Sequence, residues 1–133
     1  MDAQQSIEIA SANPAAKLNF SRLDKDHALV SFSGRELQVA TRVYVPDFHG
    51  METMVEVFKA MAENWKGWDG EMRWASLEGE FGLVATSSTL GHVTLQLSFR
   101  EHSGPNPWSA DIKLTLEPMQ VEQAHKRLAD LYS

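Results

Sequence analysis

Residues 51–65 read Met-Glu-Thr-Met-Val-Glu-Val-Phe-Lys-Ala-Met-Ala-Glu-Asn-Trp, and this stretch constrains how the rest of the chain can fold. Its apolar side chains recur every three or four residues, the spacing that aligns them along one side of an α-helix. The stripe consists of Met51, Met54, Val55, Phe58, Met61, Ala62 and Trp65. Charged residues fall on the other side. The sequence therefore predicts a helix of about four turns that buries one side against another element.

Runs of alternating apolar and polar residues lie on both sides of this helix, and a period of two is typical of half-buried β-strands. Four such runs precede the helix and four follow it. Their inward positions include Ile7, Leu18, Val30 and Val43 before the helix, and Trp74, Leu83, Leu95 and Leu114 after it. Most connections are too short for parallel crossovers, so we expect the strands to pair antiparallel.

A second amphipathic segment closes the chain. Pro118 suits the first turn of a helix, and Val121, Ala124, Leu128 and Leu131 follow it at helical spacing. The predicted fold is a single α+β domain over residues 1–133, with about eight strands and two helices in the order ββββ-α-ββββ-α. The simplest arrangement is one curved antiparallel sheet with both helices packed on one face, and a two-sheet arrangement is the alternative.

The composition argues against several classes of function. The chain has no cysteine, so disulfides, zinc–thiolate sites and a cysteine nucleophile are excluded. Its five histidines show no metal-ligand spacing, and no nucleophile elbow or phosphate-binding loop is found. The sequence predicts no catalytic residue, no metal, no cofactor and no enzymatic activity. Without a signal peptide or a long apolar segment, it also predicts a cytoplasmic protein without membrane contact.

The negative charge is concentrated in one region. The net charge of −6 argues against nucleic-acid binding, which needs basic surfaces. Between Asp47 and Glu80 there are eight acidic and three basic residues, a net charge of −5, and the remainder is almost neutral. A solvated face, a patch for a basic partner, and catalysis or cation binding all stay open as explanations.

Three of the four tryptophans lie within residues 65–74. Tryptophan offers a large rigid contact face with a polar N–H group, which favours binding surfaces as well as cores. The periodicity predicts Trp65 and Trp74 in the core and leaves Trp68 free for a partner. The candidate partner-binding residues are Trp68, Asp69, Glu71, Glu78 and Glu80.

This region also resembles a known family. The pattern Trp-x-Gly-Trp-x-Gly at residues 65–70 is followed by a Trp74-x-Ser76-x-Glu78 strand, by Gly91-His92-Val93 and by a strand beginning at Trp108. From residue 65 to about residue 117 the chain resembles small bacterial proteins grouped as a domain of unknown function. Members resemble compact acidic proteins that serve as immunity partners of bacterial toxins. The resemblance implies no active site.

Two functional hypotheses follow. The first is a non-enzymatic protein-binding domain, an immunity or inhibitor protein that masks a basic toxin domain through an acidic surface. The second is a small-molecule-binding or regulatory module with a pocket between helix and sheet. That pocket would be lined by Met54, Phe58, Met61 and Trp74. A closed core favours the first hypothesis and a cavity the second. A homodimer is compatible with either.

Overall fold

The computed structural model describes residues 6–46, 50–89, 91–102 and 104–132. The first four strands are β1 (Ser6–Ala10), β2 (Lys17–Arg22), β3 (His27–Ser33) and β4 (Gln38–Tyr44), and helix α1 (Met51–Glu63) follows them. The second half contains β5 (Met72–Ala75), β6 (Phe81–Ser87), β7 (Val93–Glu101), β8 (Trp108–Leu116) and helix α2 (Pro118–Leu131). The predicted α+β class and element order are confirmed.

The eight strands form two antiparallel sheets, ordered β1-β2-β3-β4 and β5-β6-β7-β8. This is the two-sheet alternative, and the simpler expectation of a single sheet does not hold. A carboxylate covers part of the edge of the first sheet. The outward backbone N–H of Tyr44, on the edge strand β4, donates to the Glu80 Oε2 atom at 2.9 Å. A side chain therefore satisfies this N–H where a neighbouring strand would otherwise pair.

The two sheets share one aromatic cluster. Phe20 on β2 meets Phe81 on β6 edge to face, with ring centroids 5.9 Å apart. Phe81 also lies 5.1 Å from the ring of Phe99 and 6.3 Å from that of Trp74. The three phenylalanines are completely buried. Phe81 thus joins the inner faces of both sheets, and aromatic contacts of this geometry add to the free energy gained from burial alone.

Helix α1 packs as its stripe predicts over most of its length. Met51, Met54, Phe58 and Met61 are buried. The indole N–H of Trp74 fixes the start of the helix, because it donates to the Gly50 carbonyl at 3.0 Å and to the Thr53 hydroxyl at 2.8 Å. This bond ties α1 to β5 and consequently to the second sheet.

Helix α2 is confirmed in its start and in its buried side. Pro118 begins it, and Glu117 and Gln120 form a capping box that satisfies exposed backbone N–H groups. Its buried residues are Val121, Ala124, Leu128 and Leu131. The helix packs on α1, β1 and β8. Neither helix in the described residues has the length and apolar character needed to cross a membrane.

The two sides of α1 predict different responses to substitution. We expect Phe58→Ala to lower the free energy of unfolding by about 3–5 kcal/mol, because it empties a large aromatic site in the core. Glu56 is exposed on the same helix, so Glu56→Ala should change it by less than about 0.5 kcal/mol. Denaturant titration measures both values, and equal losses would contradict this assignment of the helix faces.

Candidate protein-binding surface

The segment that follows α1 is held in a tight loop by backbone conformations that favour glycine. Asn64 ends the helix, and the amide of Gly67 donates to the Asn64 carbonyl at 2.8 Å. Gly67 and Gly70 have φ angles of 115° and 79°, a backbone conformation that residues with a Cβ atom rarely adopt. The glycines of the Trp-x-Gly-Trp-x-Gly pattern therefore bend the chain between its tryptophans.

Trp65 was predicted in the core, and this prediction is wrong. Its side chain is 58% exposed. The helix ends at Glu63, so Trp65 lies beyond the last helical residue and no longer continues the apolar stripe. The ammonium group of Lys66 lies 5.3 Å from the centroid of the Trp65 ring, a cation–π contact that orients the indole at the surface.

Trp68 and Trp74 pack inward. Trp74 is buried as predicted, with 8% exposure. Trp68, the tryptophan expected to be free, is partly buried and packs against the core. Its indole N–H is buried and has no hydrogen-bond acceptor among the described residues. Trp65 therefore takes the exposed position that the sequence assigned to Trp68.

The backbone of Trp65 is fixed by close contact with Gly91. A Cβ atom at Gly91 would lie 2.5 Å from the Trp65 carbonyl oxygen and 3.4 Å from the ring of Pro118. Trp65 and the start of α2 thus converge on the turn between β6 and β7. Met119, the residue after Pro118, is 70% exposed. We call Trp65, Lys66 and Met119 the tryptophan surface.

The five predicted partner-binding residues do not form one cluster. Strand β5 separates them: Trp68, Asp69 and Glu71 precede it, whereas Glu78 and Glu80 follow it. The strand and the residue on each side of it extend over roughly 16 Å. Asp69, Glu71 and Glu78 are exposed. Glu71 forms an ion pair with Arg73.

Glu80 has a structural role. Its carboxylate accepts hydrogen bonds from the Ser76 hydroxyl at 2.6 Å and from the Tyr44 amide at 2.9 Å. Because both oxygen atoms already have partners within the protein, a substitution here would disturb the contact between the sheets as well as the surface charge.

The alternative pocket between helix and sheet is occupied by side chains. Met54 and Phe58 have no exposed surface, and Met61 is 1% exposed. Together with Trp74 they fill the space between α1 and β5. Methionine adapts readily to such packing, so its enrichment in the stripe needs no ligand to explain it.

A polar groove of about 340 Å³ lies between β4, the β5–β6 turn and the end of β7. It is lined by His27, Thr41, Arg42, Tyr44, Glu78, Glu80, Arg100, Glu101 and His102. We call it the inter-sheet groove. The Thr41 hydroxyl donates to the Arg100 carbonyl at 3.3 Å and links the two sheets beside the groove. Sequence reasoning missed this site, because its residues come from both halves of the chain and form no motif.

Asp24 orients one histidine of the inter-sheet groove. The Nδ1 atom of His27 lies 2.9 Å from the Asp24 Oδ1 atom. The Asp26 amide, and after it the His27 ring, lower the pKa of Asp24 by hydrogen bonding to its charged form. Among the described residues there is no group of three metal-ligating side chains that could hold an ion.

Comparison with known proteins identifies the family. Residues 9–132 match the model of the family of unknown function DUF6228. The chain therefore belongs to this family, whose description names no activity. No curated protein and no solved structure matches the chain.

Replacing Gly91 by alanine should destabilise the protein through a steric clash as well as through backbone strain. Gly79 offers a comparison in which only the strain is present. Gly79 has a φ angle of 78°, similar to the 83° of Gly91, but a Cβ there meets no atom within 4 Å. We expect Gly79→Ala to cost about 1–2 kcal/mol from strain alone. Gly91→Ala should cost at least about 1 kcal/mol more, because the Trp65 backbone or α2 must move. Equal midpoints in a denaturant titration of the two variants would refute the contact.

Proposed function

We propose that this protein is a non-enzymatic binding domain that recognises a basic protein partner. The observation that carries the proposal is the tryptophan surface. Trp65 is a large aromatic side chain with 58% of its surface exposed, on a backbone held by the β6–β7 turn. Exposed tryptophans on rigid supports are the residues that most often dominate the free energy of protein association.

Exposed acidic residues flank this anchor along the chain and suit a basic partner, although Lys66 beside Trp65 carries the opposite charge. Glu63 precedes Trp65, Asp69 follows it in the same loop, and Glu56 lies on the exposed side of α1. Charges of one sign attract a partner of the other sign over about 8 Å at physiological salt and raise the association rate. The support for a basic partner is therefore an aromatic anchor with exposed acidic residues close to it in the chain, which we call the acidic rim, and protein interfaces commonly combine an apolar centre with a polar rim.

We further propose that the partner is a toxin domain in the cytoplasm, and that the protein acts as its immunity protein by masking its surface. A compact acidic domain with a closed core can inhibit by surface complementarity alone. Affinity capture from the native cell, followed by mass spectrometry, tests this identity. The expected result is one basic, toxin-like protein in stoichiometric yield, and retention of only acidic proteins would contradict it.

Trp65 should dominate the binding free energy. With the captured partner, we expect Trp65→Ala to weaken binding by about 2 kcal/mol or more, chiefly through faster dissociation. Leu77 offers a matched control, because it is 76% exposed in the β5–β6 turn, away from the tryptophan surface. Leu77→Ala should change affinity by less than about 0.5 kcal/mol. Affinities are measured by surface plasmon resonance. Equal losses of affinity in the two variants would contradict the role of Trp65 as the anchor.

The acidic rim should act on the association rate. We expect the double reversal Glu63→Lys and Asp69→Lys to slow association several-fold at low salt, with little effect at high salt. The control reverses two other exposed residues, Glu8 on β1 and Glu36 in the β3–β4 turn, and so changes the net charge by the same amount. If both double variants associate equally slowly, the effect is one of total charge and the rim has no specific role.

A further inference from the structure

The inter-sheet groove differs from the tryptophan surface in chemistry, because several of its acceptor groups already accept hydrogen bonds from the protein. Glu80 accepts from Ser76 and Tyr44, as described above. The Glu101 Oε1 atom accepts from the Gly104 amide at 2.9 Å. The Glu78 carbonyl lies 3.0 Å from the Nε2 atom of His102. The Glu80 carboxylate, one oxygen of Glu101 and the Glu78 carbonyl therefore already have protein partners.

The two arginine side chains of the inter-sheet groove differ from these acceptor groups. Arg42 on β4 and Arg100 on β7 both line the groove, and within the described residues neither guanidinium group has an ion pair or a hydrogen bond. The Tyr44 hydroxyl likewise has no bond to the described residues. The two arginines belong to different sheets and line the same groove because β4 packs against β7.

We propose that the inter-sheet groove is a binding site for a small oxyanion, a phosphate or carboxylate group held between Arg42 and Arg100. A guanidinium group presents N–H donors in a planar fork that matches the oxygen atoms of these groups. The volume of about 340 Å³ admits a small metabolite that carries such a group. This site is independent of the protein partner proposed above.

The carboxylate of Glu78 allows the sign of the ligand's charge to be tested. It is exposed, lines the groove and makes no side-chain hydrogen bond to the described residues. Its negative charge opposes a bound anion, so removing it should strengthen binding. A residue that only maintained the fold would not produce tighter binding when it was replaced.

The experiment is an NMR titration of the ¹⁵N-labelled protein with inorganic phosphate and, separately, with succinate. We expect saturable shifts of amides in the groove with at least one of the two probes. Arg42→Gln and Arg100→Gln should each weaken binding about tenfold or more, since each removes charge-assisted hydrogen bonds. Glu78→Gln should tighten binding a few-fold. Arg73→Gln is the control, because Arg73 is exposed and pairs with Glu71 outside the groove.

Each outcome bears on the proposal. If only phosphate saturates the groove, the ligand class is a phosphate ester, and if only succinate does, it is a carboxylate. The absence of saturable shifts with both probes would overturn the proposal, as would equal affinity in the two groove arginine variants and the Arg73 variant. The ¹H–¹⁵N spectrum of each variant shows whether it is folded. Loss of toxin binding would not affect these results.

Discussion

The contact between Phe20 and Phe81 is the interaction on which the rest of the structure depends. Two four-stranded sheets with one polar face each must cover their apolar faces, and in this fold they do so through phenylalanines that meet edge to face. Phe81 also touches Trp74, whose indole N–H holds the start of α1. One aromatic cluster therefore sets the positions of both sheets and of the helix that links them.

The helices could be predicted because their signals are local. The stripes of α1 and α2 are fixed by residues three and four positions apart, and the buried side of α2 was predicted completely. The error at Trp65 is local as well. Periodicity shows which side of a helix is apolar, but the last helical residue depends on capping, and here Asn64 ends the helix one residue before the tryptophan.

The division into two sheets could not be read from the sequence, because alternation shows which side chains point inward and not which strands are neighbours. The inter-sheet groove was missed for the same reason. Arg42 and Arg100 both lie on polar sides of predicted strands, 58 positions apart in the chain, and nothing local pairs them. Acidic residues were easier to notice because they cluster in sequence, yet β5 separates them in space.

Glu80 contributes both to the contact between the two sheets and to the charge of the inter-sheet groove. An edge strand must satisfy its outward N–H groups, and here the Glu80 carboxylate does so for Tyr44 while it also holds Ser76 at the β5–β6 turn. Both oxygen atoms of this half-buried carboxylate are therefore engaged within the protein. Arg42 and Arg100, like exposed Glu78, form no side-chain hydrogen bond or ion pair with the part of the chain that the structure describes. The proposed preference of the groove for oxyanions therefore follows from the hydrogen bond by which Glu80 covers the edge of β4.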